Sequence, residues 1–339
     1  MKAVVYAGDG RFELIEKPIP KPLPGEILLE LSCVGICGTD VRIFQGQMQS
    51  RVGPGRILGH EAVSTVCEPL AGGKFQAGDR VAVEPTISCG QCAACQQGFT
   101  HVCQNLRILG IDLDGALQQF WAIPENRCHH VPDDVSEEQA ALIEPLAVAV
   151  HSVRSAALRA GESATVIGAG TVGLLIAILA AKTGAKVTVL EINPYRLEIA
   201  RQFQLRALNP REQDIERSLL NFKQGPGMNV VFEASGSTDG ARMMTSLAAV
   251  RGRAILVGIH NGETLVNLYQ IFSRELSLQG VRAYSSDDFS EAIRLLSGGE
   301  INLAGIISGR YPIEQVQQAV EQAASSASAM KILVDFRLA

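Results

Sequence analysis

Residues 164–173 read ATVIGAGTVG, a short apolar run closed by three glycines, Gly168, Gly170 and Gly173, in the order G-x-G-x-x-G. No other stretch narrows the possible folds as much. The apolar run has the length of a buried strand, and the glycines fall where a helix begins. Gly168 permits a tight turn, Gly170 lets a pyrophosphate approach the backbone, and Gly173 allows a helix to pack closely on a strand. Thr171 and Val172 open the helix, whose free N–H groups and dipole favour an anion. A second apolar strand, KVTVLE, ends on Glu191, at the distance from the glycines where a dinucleotide site places its acid. A carboxylate there accepts hydrogen bonds from an adenosine ribose and repels a 2′-phosphate, so NAD is expected rather than NADP. Arg196, five residues on, is placed to stack on adenine or to hold a phosphate.

The alternation continues through RALN, NVVFEAS, RAILVGI and LSLQGVRA, with STDGARMMTSLAAV expected as a helix over 237–250. Strands separated by helices imply a doubly wound parallel sheet. Val257, Gly258 and Ile259, at the end of one of these strands, and Arg282, after the last of them, complete the expected cofactor contacts. Residues 1 to about 145 read differently. Short alternating strands such as EILLELS and DRVAVEP lie between Gly/Pro turns, KPLPGE and LAGGKFQAGD, which marks an irregular antiparallel β domain.

A chain of 339 residues exceeds what one core usually supports, and two domains are expected. The net charge of −5, with scattered Lys and Arg, offers no basic footprint for nucleic acid. The N-terminus MKAVVYAGDG carries neither signal-peptide nor transit-peptide features, and the apolar stretch GLLIAILAA is too short to span a bilayer. A cytoplasmic setting is therefore expected, in which disulfides do not persist.

That setting bears on CGQCAACQQGFTHVC, which puts Cys89, Cys92, Cys95 and Cys103 into fifteen residues. Three close thiols and a fourth that a short loop can fold back suit tetrahedral zinc or an iron–sulfur cluster. The ferredoxin-type run needs a shorter last spacing and a following proline, and neither is present. Four thiolates close the site to substrate, so this zinc shapes a lobe and the chemistry lies elsewhere.

Other candidates sit in the β region: Cys37, Thr39 and Asp40 in GICGTDVRIF, His60 and Glu61 in ILGHEAV, and Glu144 in LIEPLAVAVH. Together with the cysteine lobe and GAGTVG, these motifs resemble the zinc-dependent medium-chain alcohol dehydrogenase family over the whole chain. IEPLAVAVH is similar to its polyol (sorbitol-type) and threonine dehydrogenase branch. The resemblance implies a GroES-like catalytic domain, residues 1–145 and 284–339, carrying the zinc lobe at about 89–103. A Rossmann NAD-binding domain, 146–283, is inserted, and MKILVDF returns as the closing strand of the first domain. It implies two zinc ions per chain, a structural one on the four cysteines and a catalytic one held by Cys37, His60 and a glutamate. Members of this branch use Glu61, or the acid at Glu144 directly or through a water. The reading adopted has Cys37, His60 and Glu61 on the metal, with Glu144 exchanging in or bonding the metal-bound water.

The reaction so implied is oxidation of a secondary hydroxyl of a polyol, sugar or sugar acid to a ketone, with hydride passing to NAD. Thr39 is placed to accept the hydrogen bond of the substrate hydroxyl and pass the proton on, and Asp40 to orient His60. Many relatives carry a histidine where this chain has Arg42. A guanidinium cannot act as a general base, so Arg42 is expected to contact a cofactor phosphate or a sugar-acid substrate, and the proton relay to end at Glu144. The polar loop FQGQMQSRVGPGR suits a hydroxyl-rich ligand. Arg282 stands within one residue of an arginine that binds hydroxyls in sorbitol-type enzymes. L-Threonine and 2,3-butanediol are alternative substrates, and an NAD-binding regulator without turnover is an alternative of another class. A zinc-free quinone-reductase-like relative would lack Cys37, GHE and the lobe. The family pairs sheet edges into dimers and tetramers, and a homo-oligomer, with a tetramer preferred, is expected.

Overall fold

The computed structural model describes residues 1–219 and 227–338. The chain forms two compact units, Met1–Glu144 with the stretch from Ser285 onward, and Pro145–Tyr284.

In the first unit the long strand Glu26–Ile36 is the hub. On one side it pairs antiparallel with Glu61–Glu68, which leads to Arg80–Val83 and Cys128–His130. On the other it pairs antiparallel with Lys331–Asp335, and Phe120–Pro124 joins its N-terminal half. Alternation alone accounts for EILLELS. The strand runs four residues further because Val34, Gly35 and Ile36 are covered on both faces, so hydrogen bonding in the sheet extends past the alternating part. The sheet is not wholly antiparallel. Ile307–Tyr311 and Lys331–Asp335 are parallel, with the helix Val316–Ser325 as the crossover that a parallel pair requires. A separate three-stranded sheet, Arg11–Glu16, Lys2–Gly8 and Arg56–Ile57, closes one side of the same apolar core.

The second unit is a six-stranded parallel sheet in the order Arg206–Leu208, Lys186–Leu190, Ser163–Ile167, Met228–Glu233, Ala248–Leu256, Ser277–Gly280. Strand order reverses between the third and fourth of these, which is the place where doubly wound sheets take their ligands. Ser163–Ile167 is buried along its whole length. The helix Thr171–Lys182 is apolar almost all round, as a helix packed between a sheet and its neighbours must be. The helix expected over 237–250 ends at Leu247. Met228 pairs with Ala248, and Gly227 packs against Ala249 so closely that a Cβ there would stand 2.5 Å from it. Ladder pairing at that point outweighs the helical preference of two alanines. The outermost strand, Ser277–Gly280, is exposed along one edge.

No helix among the described residues is long and apolar enough to cross a membrane.

Candidate active site and metal centres

Cys37 ends the hub strand and caps the helix Gly38–Phe44. Asp40, in the first turn, returns to accept the Cys37 N–H at 2.8 Å. His60 and Glu61 start the neighbouring strand, and the register sets Glu61 opposite Gly35. Gly35 has a steric reason: a Cβ there would lie 2.0 Å from Glu61 Oε2. These pairings bring one ligand atom each of Cys37, His60 and Glu61 within 4.8 Å of one another. One thiolate, one imidazole and one carboxylate with a fourth position open form the donor set of a catalytic zinc.

The surroundings of this set are charged and dry. Asp40 is fully buried and its Oδ1 lies 3.8 Å from His60 Nδ1; neither atom has a hydrogen-bond partner. A histidine oriented through its second nitrogen by a carboxylate is the usual support of a metal ligand. Burial pushes the Asp40 carboxyl up, against the pull of His60. For His60 burial acts downward, but Cys37, Asp40 and Glu144 outweigh it and hold the imidazole well above its ordinary value. A proton on this ring would compete with any metal bound there.

One contributor was not foreseen. Lys331, 1% exposed at the start of the closing strand, donates from Nζ to the Ile36 carbonyl at 3.1 Å and to the Glu61 carboxylate. Burial would lower its pKa, but Glu61, Cys37 and Glu144 raise it, so the ammonium stays charged beside the ligand set. In MKILVDF a lysine before an apolar strand reads as a solvated end.

Thr39 and Arg42 lie on the helix that begins after Cys37, three residues apart and so on one face. Glu144, in the first turn of Ile143–Ser155, acts electrostatically on both His60 and Lys331, while the tight cluster contains Glu61. Arg282 is exposed after the edge strand.

The four lobe thiols also converge. Sulfur–sulfur distances are 3.5 Å for Cys92–Cys95, 3.8 Å for Cys92–Cys103 and 3.4 Å for Cys89–Cys103. Thiolates 2.3 Å from one tetrahedral ion stand about 3.8 Å apart, whereas a disulfide needs about 2.05 Å, so the spacing fits zinc and not a crosslink. The backbone N–H groups of Gln91 and Cys92, with the Cys103 thiol, lower the Cys89 thiol to about 6. That favours the thiolate which a metal requires.

In the second unit Gly168 has φ of +93°, and a Cβ there would stand 2.9 Å from Ser235. A Cβ on Gly173 would lie 2.0 Å from the Gly168 carbonyl oxygen. Gly170 caps Thr171–Lys182 without a side-chain partner, which leaves its end open to an anion. Glu191 Oε2 accepts Ala169 N–H at 2.7 Å, and Oε1 accepts from Ile192 and Asn193 at 2.7 and 2.9 Å. The acid therefore ties the glycine turn to the next loop. Arg196 lies over the same turn, its Nη1 3.9 Å from the position of a Gly170 Cβ. Val257 and Gly258 donate N–H to the Glu233 carbonyl at the end of the neighbouring strand.

Comparison with known proteins adds the following. Residues 23–133 match the alcohol dehydrogenase GroES-like domain, and residues 171–298 match the zinc-binding dehydrogenase domain. The chain is 38% identical over 338 residues to a 2-dehydro-3-deoxy-L-galactonate 5-dehydrogenase of Pseudoalteromonas atlantica, covering 99% of this chain and 98% of that one. It is 34% identical to an L-threonine 3-dehydrogenase of Pyrococcus horikoshii over 88% of each chain. Among solved structures, a putative zinc-binding dehydrogenase from Sinorhizobium meliloti bound to NADP superposes with a TM-score of 0.92 at 27% identity, over 98% of both chains.

Proposed function

The chain belongs to the zinc-dependent medium-chain alcohol dehydrogenase family, and we propose that it oxidises a secondary hydroxyl of a sugar acid or polyol to a ketone with NAD as hydride acceptor. The observation that carries this reading is the convergence of Cys37, His60 and Glu61. These three side chains would hold the catalytic zinc, and Cys89, Cys92, Cys95 and Cys103 the structural one. Zinc in the first site supplies a Lewis acid that lowers the pKa of a substrate hydroxyl.

The chain's own residues supply the rest. Asp40 fixes the Cys37 turn through its N–H and faces His60 Nδ1, which keeps both ligands oriented. Lys331 donates to one Glu61 oxygen, so Glu61 would be shared between a fixed ammonium and the zinc it would help to hold. Thr39 Oγ1 accepts the hydrogen bond of the substrate hydroxyl and, as it takes up that proton, gives its own to Glu144. Arg42 holds a permanent positive charge on the face of Thr39, which suits a substrate whose carboxylate lies near the reacting hydroxyl. A sugar acid has that arrangement. So does L-threonine, and the similarity to a threonine 3-dehydrogenase makes it the second reading.

Glu191, close to the glycine turn, supports NAD over NADP. A second copy of the chain is proposed to cover the exposed edge Ser277–Gly280 and the neighbouring Leu268, Tyr269 and Phe272, within a tetramer. A cytoplasmic setting, which keeps the lobe thiols reduced, goes with this reading and is checked by cell fractionation.

The test is turnover by zinc-loaded protein, followed at 340 nm, with sugar acids, polyols, L-threonine and 2,3-butanediol, each with NAD and with NADP. A sugar acid with NAD is expected to give the highest kcat/KM. Highest kcat/KM on an uncharged diol, unaltered by Arg42→Leu, would overturn the sugar-acid assignment.

A further inference from the structure

Glu233 ends the strand on the far side of the order reversal, and its side chain is fully buried. One carboxylate oxygen accepts N–H from Ser235 at 2.9 Å and from Gly236 at 3.0 Å, together with the Ser235 hydroxyl. All of these donors belong to the turn that follows its own strand. The other oxygen bonds His260 Nε2 at 2.9 Å. His260 belongs to the next turn, after Ala248–Leu256, and its side chain is 12% exposed. The two turns are in close contact: a Cβ on Gly258 would lie 2.4 Å from Gly236 N and 2.5 Å from Glu233 Oε2. Backbone bonds from Val257 and Gly258 join the start of the second turn to the Glu233 carbonyl. His260 adds a side-chain bond from further along that turn to the buried acid.

In a doubly wound sheet the two halves of a dinucleotide lie over the two halves of the strand order. The glycine turn and Glu191 belong to the half built from Ser163–Ile167, Lys186–Leu190 and Arg206–Leu208. The ends of Met228–Glu233 and Ala248–Leu256 are thus left for the nicotinamide half. Resting on the cofactor site proposed above, we infer that His260 is a positioning residue: through Glu233 it sets the Val257–Ile259 turn on which the nicotinamide half lies. It touches neither the reacting atoms nor the adenosine half. Without it the buried carboxylate loses a partner, and the turn loses the bond that links His260 to the end of the neighbouring strand.

The experiment compares NADH and ADP binding by fluorescence and calorimetry in the wild type, His260→Ala and His260→Gln, with the melting temperature recorded for each. Loss of a hydrogen bond to a buried charge should weaken NADH binding about tenfold or more in His260→Ala. ADP, which reports only the adenosine half, should bind as in the wild type. Glutamine places an amide N–H where Nε2 stands and should restore NADH affinity, with KM for NAD and kcat following the same order. Unchanged NADH affinity in His260→Ala overturns the inference, and so does an equal loss of NADH and ADP, which would signal general damage to the unit. Wild-type protein that binds ADP but not NADH would instead refute the cofactor site itself.

Discussion

A buried lysine beside the carboxylate of a proposed metal site is a costly arrangement, and Lys331 shows what this chain does with it. Its ammonium neutralises Glu61 where no water can, and Ile36 supplies a second acceptor. Breaking one partner of such a pair leaves an uncompensated charge, worth about 3–5 kcal/mol of stability. Lys331→Met should therefore lower the melting temperature of the metal-free protein sharply. A bound cation compensates the same carboxylate, so zinc should raise the melting temperature of the variant by more than that of the wild type. Differential scanning fluorimetry with and without zinc measures both; an equal zinc-induced rise in the two proteins would show that Lys331 and the metal do not share Glu61. The residues that bind were readable as types and spacings. Lys331 was not, because a single charge next to an apolar run carries no mark of the partner that will meet it.

Among elements, the lobe and the glycine turn were the most legible, since each is built from neighbours in the chain. Cys89, Cys92, Cys95 and Cys103 lie close in sequence, and no distant segment is needed to bring their sulfurs together. Replacing one, as in Cys92→Ser, should reduce the metal content from about two zinc per chain to about one and make the lobe sensitive to proteolysis. Metal analysis and limited trypsin digestion check this. Two zinc retained by the variant would refute a four-thiolate site. Where local preference and pairing conflict, pairing prevails. STDGARMMTSLAAV reads as a helix to its end, yet its last three residues are strand because Met228 offers a ladder partner there.

For the whole molecule, the decisive features are those on the outside. Leu265, Leu268, Tyr269 and Phe272 are each more than 70% exposed, and they precede the edge strand Ser277–Gly280 in the chain. Exposed apolar side chains together with an open sheet edge suit the tetramer proposed above. Light scattering should give about four times the 36.2 kDa of the chain. Phe272→Glu should reduce that mass, and a monomeric wild type would remove the second copy from the reading.

Glycine spacing, cysteine spacing and apolar periodicity were enough to establish a parallel nucleotide-binding sheet, a four-thiolate lobe and a β-rich partner for them. Each depends on interactions within a few tens of residues, where chain geometry leaves few alternatives. The set of Cys37, His60, Glu61 and Lys331 is of another kind. It spans nearly the full length of the chain and exists because Glu61 pairs with Gly35 while the closing strand pairs on the other side of the same hub. A register shift of one residue would turn any of these side chains to the opposite face. The convergence of that set, and the entry of Lys331 into it, was therefore a matter of sheet register, which long-range packing selects and local sequence does not encode.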